Sequence, residues 1–192
     1  MGFLELKEMN LPSIPWKQYT GNEKFSIDYL WTVRSAVYRG EDLNLPRLVG
    51  KESEESKQFA DNLLKQMGEK GIVIYYPYFI AKKSGTLEVR NDSVIIEAVK
   101  DDLWNLVTYF DCEVTIIIDY NSKRIYKGNR DFMSDQEIQK ILTYVPEIKK
   151  IFREDLLEGK SALLEWSYAL SCGRDRQPIS EEYLVFYEAR TV

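Results

Sequence analysis

An acidic and a basic residue stand two positions apart in the stretch YLVFYEARTV, at Glu188 and Arg190. The apolar and aromatic residues before them predict a β-strand. Because side chains alternate along a strand, we expect four of them to share one face: Leu184, Phe186, Glu188 and Arg190. A carboxylate can bind a hard metal ion, and an arginine fork can bind phosphate oxygens. Two interpretations stay open here: a site for such a ligand, or an ion pair within one strand face.

Histidine is absent from the 192 residues. This excludes serine–histidine and cysteine–histidine mechanisms within the chain, and any bound metal must be a hard ion held by carboxylates. Cys112 and Cys172 lie in unrelated contexts without a C-x-x-C, so we expect a reduced chain without a zinc site. Arg174 and Arg176 follow Cys172 and could activate its thiol. A surface loop with paired charges is the favoured interpretation of this segment.

The composition is that of an ordinary globular protein. Hydrophobic residues make up 44% and charged residues 30%, enough for a core in one domain or in two joined lobes. The net charge is -5 and no basic tract is present, which argues against a nucleic-acid partner. No run of about 18 apolar residues occurs, and MGFLELKEMNLPS lacks the pattern of a signal peptide. We therefore expect a cytoplasmic protein with no membrane partner.

Four helical segments are predicted. ESEESKQFADNLLKQMGEK carries an apolar stripe at helical spacing, formed by Phe59, Leu63, Leu64 and Met67. DDLWNLVTYF predicts a short helix with an aspartate cap. Ser134 and Glu137 form a capping-box pattern at the start of a third helix, and a further helical segment follows Pro146.

Strands are predicted by β-branched and aromatic runs between turn residues. They are GIVIYYPYFIA, with a break at Pro77, then TLEV, SVIIEA, EVTIIIDY, RIYKG and EYLVFYEAR. FSIDYLWTVRSAVYRG and SALLEWSYALS each fit a strand or a helix, and residues 1–25 are expected to be irregular. This combination of predicted helices and strands indicates an α+β fold with a largely antiparallel sheet and packed helices.

Four stretches in order along residues 31–192 resemble motifs of one known domain. TVRSAVYRGEDLNLPRLVG resembles V-R-S-S-A-T-x-E-D-L-P…S-F-A-G, and GIVIYYPYFIAKKSGTLEV resembles V-A-V-x-V-Q-x-M-V…S-G-V-x-F-T. SVIIEAVKDDLWNLVTYFDCEVTIIIDY resembles V-I-E-A-x-x-G-L-G-E…V-S-G…D-x-Y-x-V-D. LLEW and EYLVFYEARTV resemble I-E-W-A…L-Y-I-L-Q-A-R-P-V-T. The retained residues in the first three are Val33, Arg34, Ser35, Glu41, Asp42, Leu43, Gly50, Ser84, Gly85, Glu97, Ala98, Val107 and Asp119.

The domain that these motifs resemble is the ATP-binding domain of phosphoenolpyruvate synthase and pyruvate phosphate dikinase, an ATP-grasp variant. The resemblance implies an ATP-grasp-like fold with a truncated N-terminal lobe. It implies one shortened domain over residues 1–192, with a small N-terminal lobe over 1–70 and a main lobe over 71–192. It also implies ATP and Mg²⁺ as cofactors.

The resemblance assigns roles to five charged residues. Arg34, Glu97 and Arg190 would bind the nucleotide, and Glu165 and Glu188 would hold the metal. Phosphoryl transfer needs such a set because it depends mainly on positioning and charge neutralisation. For the acids, the alternative is pairing with Arg190 on its own face.

Arg34 has an alternative role as well. It would then form a structural salt bridge with Glu41 or Asp42, which follow it in the sequence.

The chain departs from the family pattern at several positions. The N-terminal G-G-K-G segment and its ATP-binding lysine have no counterpart, and the hinge glutamine is Tyr76. The G-L-G-E turn reads DDLW, with Asp101, Leu103 and Trp104 in place of glycine, glycine and glutamate. Glycine lets the backbone approach phosphate closely, and larger residues do not. Leu163 replaces an acid, and Glu188 replaces a glutamine.

These departures leave two functions open. One is a nucleotide-binding protein with impaired or altered phosphotransferase chemistry; if it is active, it is an ATP-dependent phosphotransferase. The family passes the phosphoryl group to a histidine on a separate domain, so this chain would need a phosphohistidine-type or other protein partner as acceptor. The alternative is a non-catalytic interaction or regulatory module that retains only the fold.

Overall fold

The computed structural model describes residue 6 and residues 9–38, 45–103 and 112–192. Most of the predicted helix in DDLWNLVTYF lies outside these residues. The chain forms two compact units. The first contains Ile14–Ile80 and Leu170–Glu182, and the second contains Ala81–Ala169, Tyr183–Val192 and the N-terminal segment up to Ser13. The division into lobes at residue 70 stays a prediction.

The first unit contains a four-stranded antiparallel sheet in the order β1-β4-β2-β3. Its strands are β1 (Lys17–Tyr19), β2 (Trp31–Val37), β3 (Arg47–Lys51) and β4 (Gly71–Pro77). The ambiguous segment FSIDYLWTVRSAVYRG thus contains a strand, because β2 pairs with neighbours on both sides. The expectation that residues 1–25 are wholly irregular is wrong, since β1 pairs with β4.

One face of this sheet is covered by α1 (Ser53–Met67), which confirms the predicted helix and continues into a 3₁₀ turn, Gly68–Lys70. Ala60, Leu63 and Met67 of α1 pack with a cluster that includes Val33 and Tyr75. Burial of these apolar surfaces supplies the main attraction between helix and sheet. Residues that alternate with Val33 and Tyr75 along the strands face away from the helix.

A partly exposed polar contact links α1 to β1. The Tyr19 hydroxyl donates to Asp61 at 2.5 Å, and the Lys57 ammonium donates to the same carboxylate at 2.8 Å. Burial and the contact with Asp61 raise the pKa of Tyr19, so it remains a donor at neutral pH.

The second unit contains a six-stranded antiparallel sheet in the order β10-β9-β5-β6-β7-β8. Its strands are β5 (Phe79–Val89), β6 (Ser93–Lys100), β7 (Val114–Asp119), β8 (Arg124–Gly128), β9 (Ala162–Ser171) and β10 (Tyr183–Thr191). β4 ends at Pro77, as the break predicts. The ambiguous SALLEWSYALS is a strand. TLEV is not a separate strand, because it forms the end of β5, which begins at Phe79.

Three short helices cover one face of this sheet. They are α2 (Asp135–Leu142), α3 (Val145–Ile151) and α4 (Arg153–Leu157), preceded by a 3₁₀ turn, Arg130–Phe132. Ile138, Ile148 and Leu156 pack from the helices against a core that includes Ile96 and Trp166. The α+β class with antiparallel sheets and packed helices is confirmed. No helix within the described ranges combines the length and apolar character that crossing a membrane requires.

The predicted capping box at the start of α2 is confirmed. Ser134 and Glu137 exchange side-chain and backbone hydrogen bonds, and Lys83 of β5 donates to Glu137 at 2.6 and 2.9 Å. Burial raises the pKa of Glu137, but the bonds from Lys83 and Ser134 outweigh it, so its pKa lies below the ordinary value. One carboxylate therefore both caps the helix and fastens it to the sheet.

Glu137→Gln should make the protein less stable at neutral pH and flatten its acid-induced destabilisation. A carboxyl with a lowered pKa stabilises the fold above its unfolded pKa of about 4.3 and loses that effect as pH falls through the folded pKa. Denaturant unfolding between neutral pH and pH 3 measures the difference. Glu154→Gln, at an exposed residue of α4, is the control. If the free energy of unfolding of Glu137→Gln fell as steeply with decreasing pH as that of the wild type, this role would be contradicted.

Position 85, in the middle of β5, has room for glycine only. A Cβ on it would overlap the Glu97 carbonyl and lie 2.7 Å from a ring carbon of Trp166. Glycine inside a strand commonly marks such a close approach. Close packing therefore explains why the second residue of the Ser84–Gly85 pair is glycine.

Gly85→Ala should lower the free energy of unfolding by about 1–3 kcal/mol or more, because backbone must move to admit the methyl group. Urea unfolding measures the loss. Gly173→Ala is the matched control, since its new Cβ would meet only a side-chain oxygen, of Asp175, at 3.2 Å. Equal stability of the two variants would show that the strand yields easily at Gly85.

Candidate functional site

The second face of the six-stranded sheet carries polar and charged residues. Leu87, Ile96, Leu164 and Trp166 belong to the core under the helices. The residues that alternate with them point to the opposite side. We call this side the polar face and define it by Ser84, Thr86, Glu97, Glu165, Ser167, Glu188 and Arg190.

A β-bulge in β10 places Glu188 and Arg190 on this face. Phe186 lies opposite Trp166, but the next paired residue is Glu188, opposite Glu165. Tyr187 is the extra residue, and an extra residue reverses the side to which all later side chains point. Ala189 consequently joins the core. The expectation that Leu184, Phe186, Glu188 and Arg190 share one face is therefore wrong: the two apolar residues face the helices and the two charged residues face away.

The bulge brings three predicted site residues together. Glu165 and Glu188 are directly opposite each other in the β9–β10 register, and Arg190 lies opposite Leu163. An Arg190 nitrogen is 3.5 Å from a Glu188 oxygen. The Glu188 side chain is 14% exposed and that of Arg190 41%. Two carboxylates face to face repel each other unless a cation lies close to them, and Arg190 supplies part of that positive charge.

Glu97 lies on the same face in β6. Thr86 of β5 is its direct neighbour in the register, and the Thr86 hydroxyl donates to a Glu97 carboxylate oxygen at 3.1 Å. Thr86 is a residue that sequence reasoning missed. Its position two residues after the retained Ser84 was the available signal, since alternate residues of a strand share a face.

Two contacts align β5 with β9 on the polar face. The hydroxyls of Ser84 and Ser167 are 2.7 Å apart, and Ser161 donates to Glu88 at 2.8 Å. As residue numbers rise from Ser84 to Glu88, those of their partners fall from Ser167 to Ser161, so the two strands are antiparallel. Thr86 and Glu165 lie between these two contacts. Glu188, Glu165, Thr86 and Glu97 therefore form one row across four adjacent strands.

Ser84 also holds the turn at Asp101. Its hydroxyl donates to the Asp101 carbonyl at 2.6 Å, so the proton between Ser84 and Ser167 comes from Ser167. Asp101 has φ of 59°, in the region that glycine adopts most readily. Asp101 thus adopts a backbone conformation that glycine favours, although it carries a side chain. Trp104 lies outside the described residues.

The carboxylates fit a hard divalent cation only as part of its coordination. Within the ranges that the structure describes, no group of three or more acidic or cysteine side chains could hold a metal. Glu165 and Glu188 by themselves supply two neighbouring carboxylates, which is fewer than a complete metal coordination needs. Mg²⁺ characteristically binds one or two carboxylates together with water and substrate phosphates. The donor set is therefore compatible with Mg²⁺ that arrives with a polyphosphate.

Arg34 belongs to the first unit, where it occupies the middle of β2 and is half-buried. It faces away from α1, since its neighbour Val33 is in the helix-side cluster. Tyr76 of β4, where the resembled motif has glutamine, lies on the same face of the sheet and is 8% exposed. Glu41 and Asp42 lie outside the described residues, so the salt bridge with them stays a prediction.

Cys172 is a structural residue, and the favoured interpretation of its segment is confirmed. Cys172 is buried, and burial raises the pKa of its thiol. Arg174 forms an ion pair with Glu52 at 2.8 Å. A buried thiol with a raised pKa is a poor nucleophile.

Comparisons with known proteins give likenesses in structure only. No family model and no curated protein match the chain. It is similar to D-alanine–D-alanine ligase from Bacillus anthracis, with 10% sequence identity and a TM-score of 0.49, over 98% of this chain and 54% of that one. It is also similar to macrocyclase MdnC bound with precursor peptide MdnA from Microcystis aeruginosa MRC, with 9% identity and a TM-score of 0.46, over 98% and 51%. The chain spans about half the length of these two structures.

Glu188→Gln and Arg190→Gln should show a favourable coupling free energy of about 0.2–1 kcal/mol in unfolding experiments, the range of partly exposed pairs. The double variant should then be more stable than the sum of the single changes predicts. Measurements at low and high salt test the ionic origin, because salt screens exposed charges. Zero coupling at low ionic strength would contradict the pairing of Glu188 with Arg190.

Proposed function

We propose that the chain binds ATP with Mg²⁺, in an ATP-grasp-like fold related to the phosphoenolpyruvate synthase domain that its motifs resemble. The observation that carries this proposal is the arrangement of Glu165, Glu188 and Arg190 on the polar face. It combines two metal-binding carboxylates with a phosphate-binding guanidinium in one cross-strand cluster. In this proposal Glu165 and Glu188 hold the metal, and Arg34, Glu97 and Arg190 bind the nucleotide.

The phosphotransferase chemistry is impaired or altered in this proposal. The family's lysine is missing, and Leu163, opposite Arg190, stands where the family has an acid. The side chain of Asp101 occupies a glycine position. Each change removes a charge or a close backbone approach that phosphoryl transfer uses. Since the chain has no histidine, a phosphoryl acceptor would come from a separate phosphohistidine-type or other protein partner.

A second candidate is a non-catalytic interaction or regulatory module. It is favoured by the contact between Glu188 and Arg190, because charges that neutralise each other need no ligand. In that case the polar face would retain charges that only stabilise the sheet, and neither ATP nor Mg²⁺ would bind there.

Thermal unfolding with ATP and Mg²⁺ separates the two functions. A ligand at 100 times its dissociation constant stabilises the folded state by about 2.7 kcal/mol, which should raise the melting temperature by roughly several degrees. Arg34→Ala and Glu188→Gln should each reduce this rise, whereas Glu181→Gln, at an exposed loop residue, should retain it. ATP without Mg²⁺ should stabilise Glu188→Gln and the wild type alike.

The opposite result is equally informative. If millimolar ATP with Mg²⁺ does not shift the wild-type melting temperature, nucleotide binding is refuted and the interaction module is the better description. The protein partner would then be sought by pull-down.

A further inference from the structure

β8 is an edge strand of the six-stranded sheet, where it pairs with β7. The Asp119 N–H donates to the Lys123 carbonyl at 3.1 Å, so these two residues form a hydrogen-bonded pair at the start of the hairpin. In an antiparallel ladder, hydrogen-bonded and non-bonded pairs alternate. The register then places Ile125 and Lys127 in hydrogen-bonded pairs as well, so their backbone groups point toward β7.

The backbone groups of Arg124, Tyr126 and Gly128 point the other way, to the outer edge. Within the ranges that the structure describes, no hydrogen bond is made by the N–H or the carbonyl of these three residues. Gly128 is exposed, and so are Ile125 and Lys127 beside it. An open edge of this kind is a template on which another extended segment can pair through main-chain hydrogen bonds.

Two exposed side chains flank this edge on the side of the sheet away from the helices. Ile125 lies opposite Ile117 of β7, and Lys127 lies opposite Thr115, whereas the intervening Ile116 belongs to the core under the helices. Ile125 is 50% exposed although it is apolar. A strand added beside β8 would place alternate side chains next to this isoleucine and this lysine, because side chains two residues apart share a face.

The positive charge of the edge is concentrated in one short segment. Lys123, Arg124, Lys127 and Arg130 lie within Lys123–Arg130, which contains no acidic residue. Arg124 forms an ion pair with Asp135 of α2, so its charge is compensated. The other three are exposed and make no ion pair with any residue that the structure describes. They supply the charge that a partner at this edge would meet.

The remaining acids of the region lie at the ends of the hairpin. Asp119 accepts the N–H groups of two turn residues, each at 2.9 Å. Glu113 accepts from the backbone of Asn129, past the end of β8, and Asp131 follows in the 3₁₀ turn. Along the strand itself, the exposed charge is therefore positive.

We propose that β8 is a docking edge for an extended acidic peptide segment of another protein, which adds to the six-stranded sheet beside β8. Hydrogen bonds to the backbone of Arg124, Tyr126 and Gly128 hold the segment. An acidic side chain beside Lys127 and an apolar one beside Ile125 select it. A second copy of this chain fits less well, because pairing β8 with β8 brings together two identical sets of basic side chains. The docking edge goes beyond the proposed nucleotide binding and does not depend on it.

Isothermal titration with two acetylated peptides, TVTETET and TVTKTKT, tests the charge and the pattern. The acidic peptide should bind, because it offers valine and glutamate at alternate positions, and the basic peptide should not. Lys127→Gln should weaken binding of the acidic peptide by about twofold to fivefold, and added salt should weaken it further. Lys140→Gln, at an exposed position on α2, is the control and should bind like the wild type. Equal binding of both peptides, or no binding of the acidic peptide at millimolar concentration, overturns the proposal.

Arg124→Pro and Arg124→Ala separate strand pairing from attraction between charges. Both variants lose the side chain and its ion pair with Asp135, but only proline also removes the outward N–H. Because that N–H does not bond to β7, proline is tolerated at such an edge position. Arg124→Pro should bind the acidic peptide about twofold to tenfold more weakly than Arg124→Ala. Equal affinities of the two variants overturn strand addition.

Amide hydrogen exchange in the wild type covers the case in which Arg124→Pro does not fold. In the free protein, the N–H groups of Ile125 and Lys127 should exchange slowly and those of Arg124 and Tyr126 rapidly. Saturation with the acidic peptide should slow exchange at Arg124 and Tyr126. Unchanged exchange at these two residues overturns the proposal.

Two other results would assign the edge to a different occupant, and each overturns the acidic peptide. One is a dimer in sedimentation experiments that Arg124→Pro disrupts and Arg124→Ala retains, which would indicate pairing with a second copy. The other is binding of anionic lipid vesicles or single-stranded DNA that depends on Lys127, displaces the acidic peptide and is the same in both Arg124 variants. That result would indicate a phosphate-bearing surface, since phosphate contacts need no backbone pairing.

Discussion

The register of β9 and β10 determines which chemistry the second unit presents. One extra residue, Tyr187, lies between Phe186 and Glu188, and it reverses every later side chain of β10. Phe186 and Ala189 are both in the core, although residues three apart in a regular strand point to opposite faces. Without the bulge, strict alternation from Phe186 would turn Ala189 out of the core and bury Glu188 and Arg190 under the helices, where charges are costly. Backbone pairing thus creates both the packed face and the charged face.

The two sheets carry charges of opposite sign on the faces that point away from their helices. In the second unit this face has the carboxylates of Glu97, Glu165 and Glu188 with Arg190 among them. In the first unit it has Arg34 and Arg47 in direct register, with no acidic residue in the strands. On the helix side of each sheet, apolar residues form the core.

Several features that resemble family motifs turn out to have structural causes. Gly85 is required because a side chain there would meet the Glu97 carbonyl and Trp166. Ser84 joins β5 to β9 and to the Asp101 turn through its hydroxyl. These contacts explain the S-G pair without any ligand.

Local sequence patterns determined the fold class of the protein. Period-two and helical patterns predict most strands and α1, and the Ser134–Glu137 capping box begins α2 as expected, because these signals act over a few neighbouring residues. Pairing between distant strands decided the rest. The bulge at Tyr187, the row from Glu188 to Glu97 and the opposition of Arg34 to Arg47 depend on registers between strands far apart in the chain. A shift of one residue reverses a face, and no local pattern records that shift.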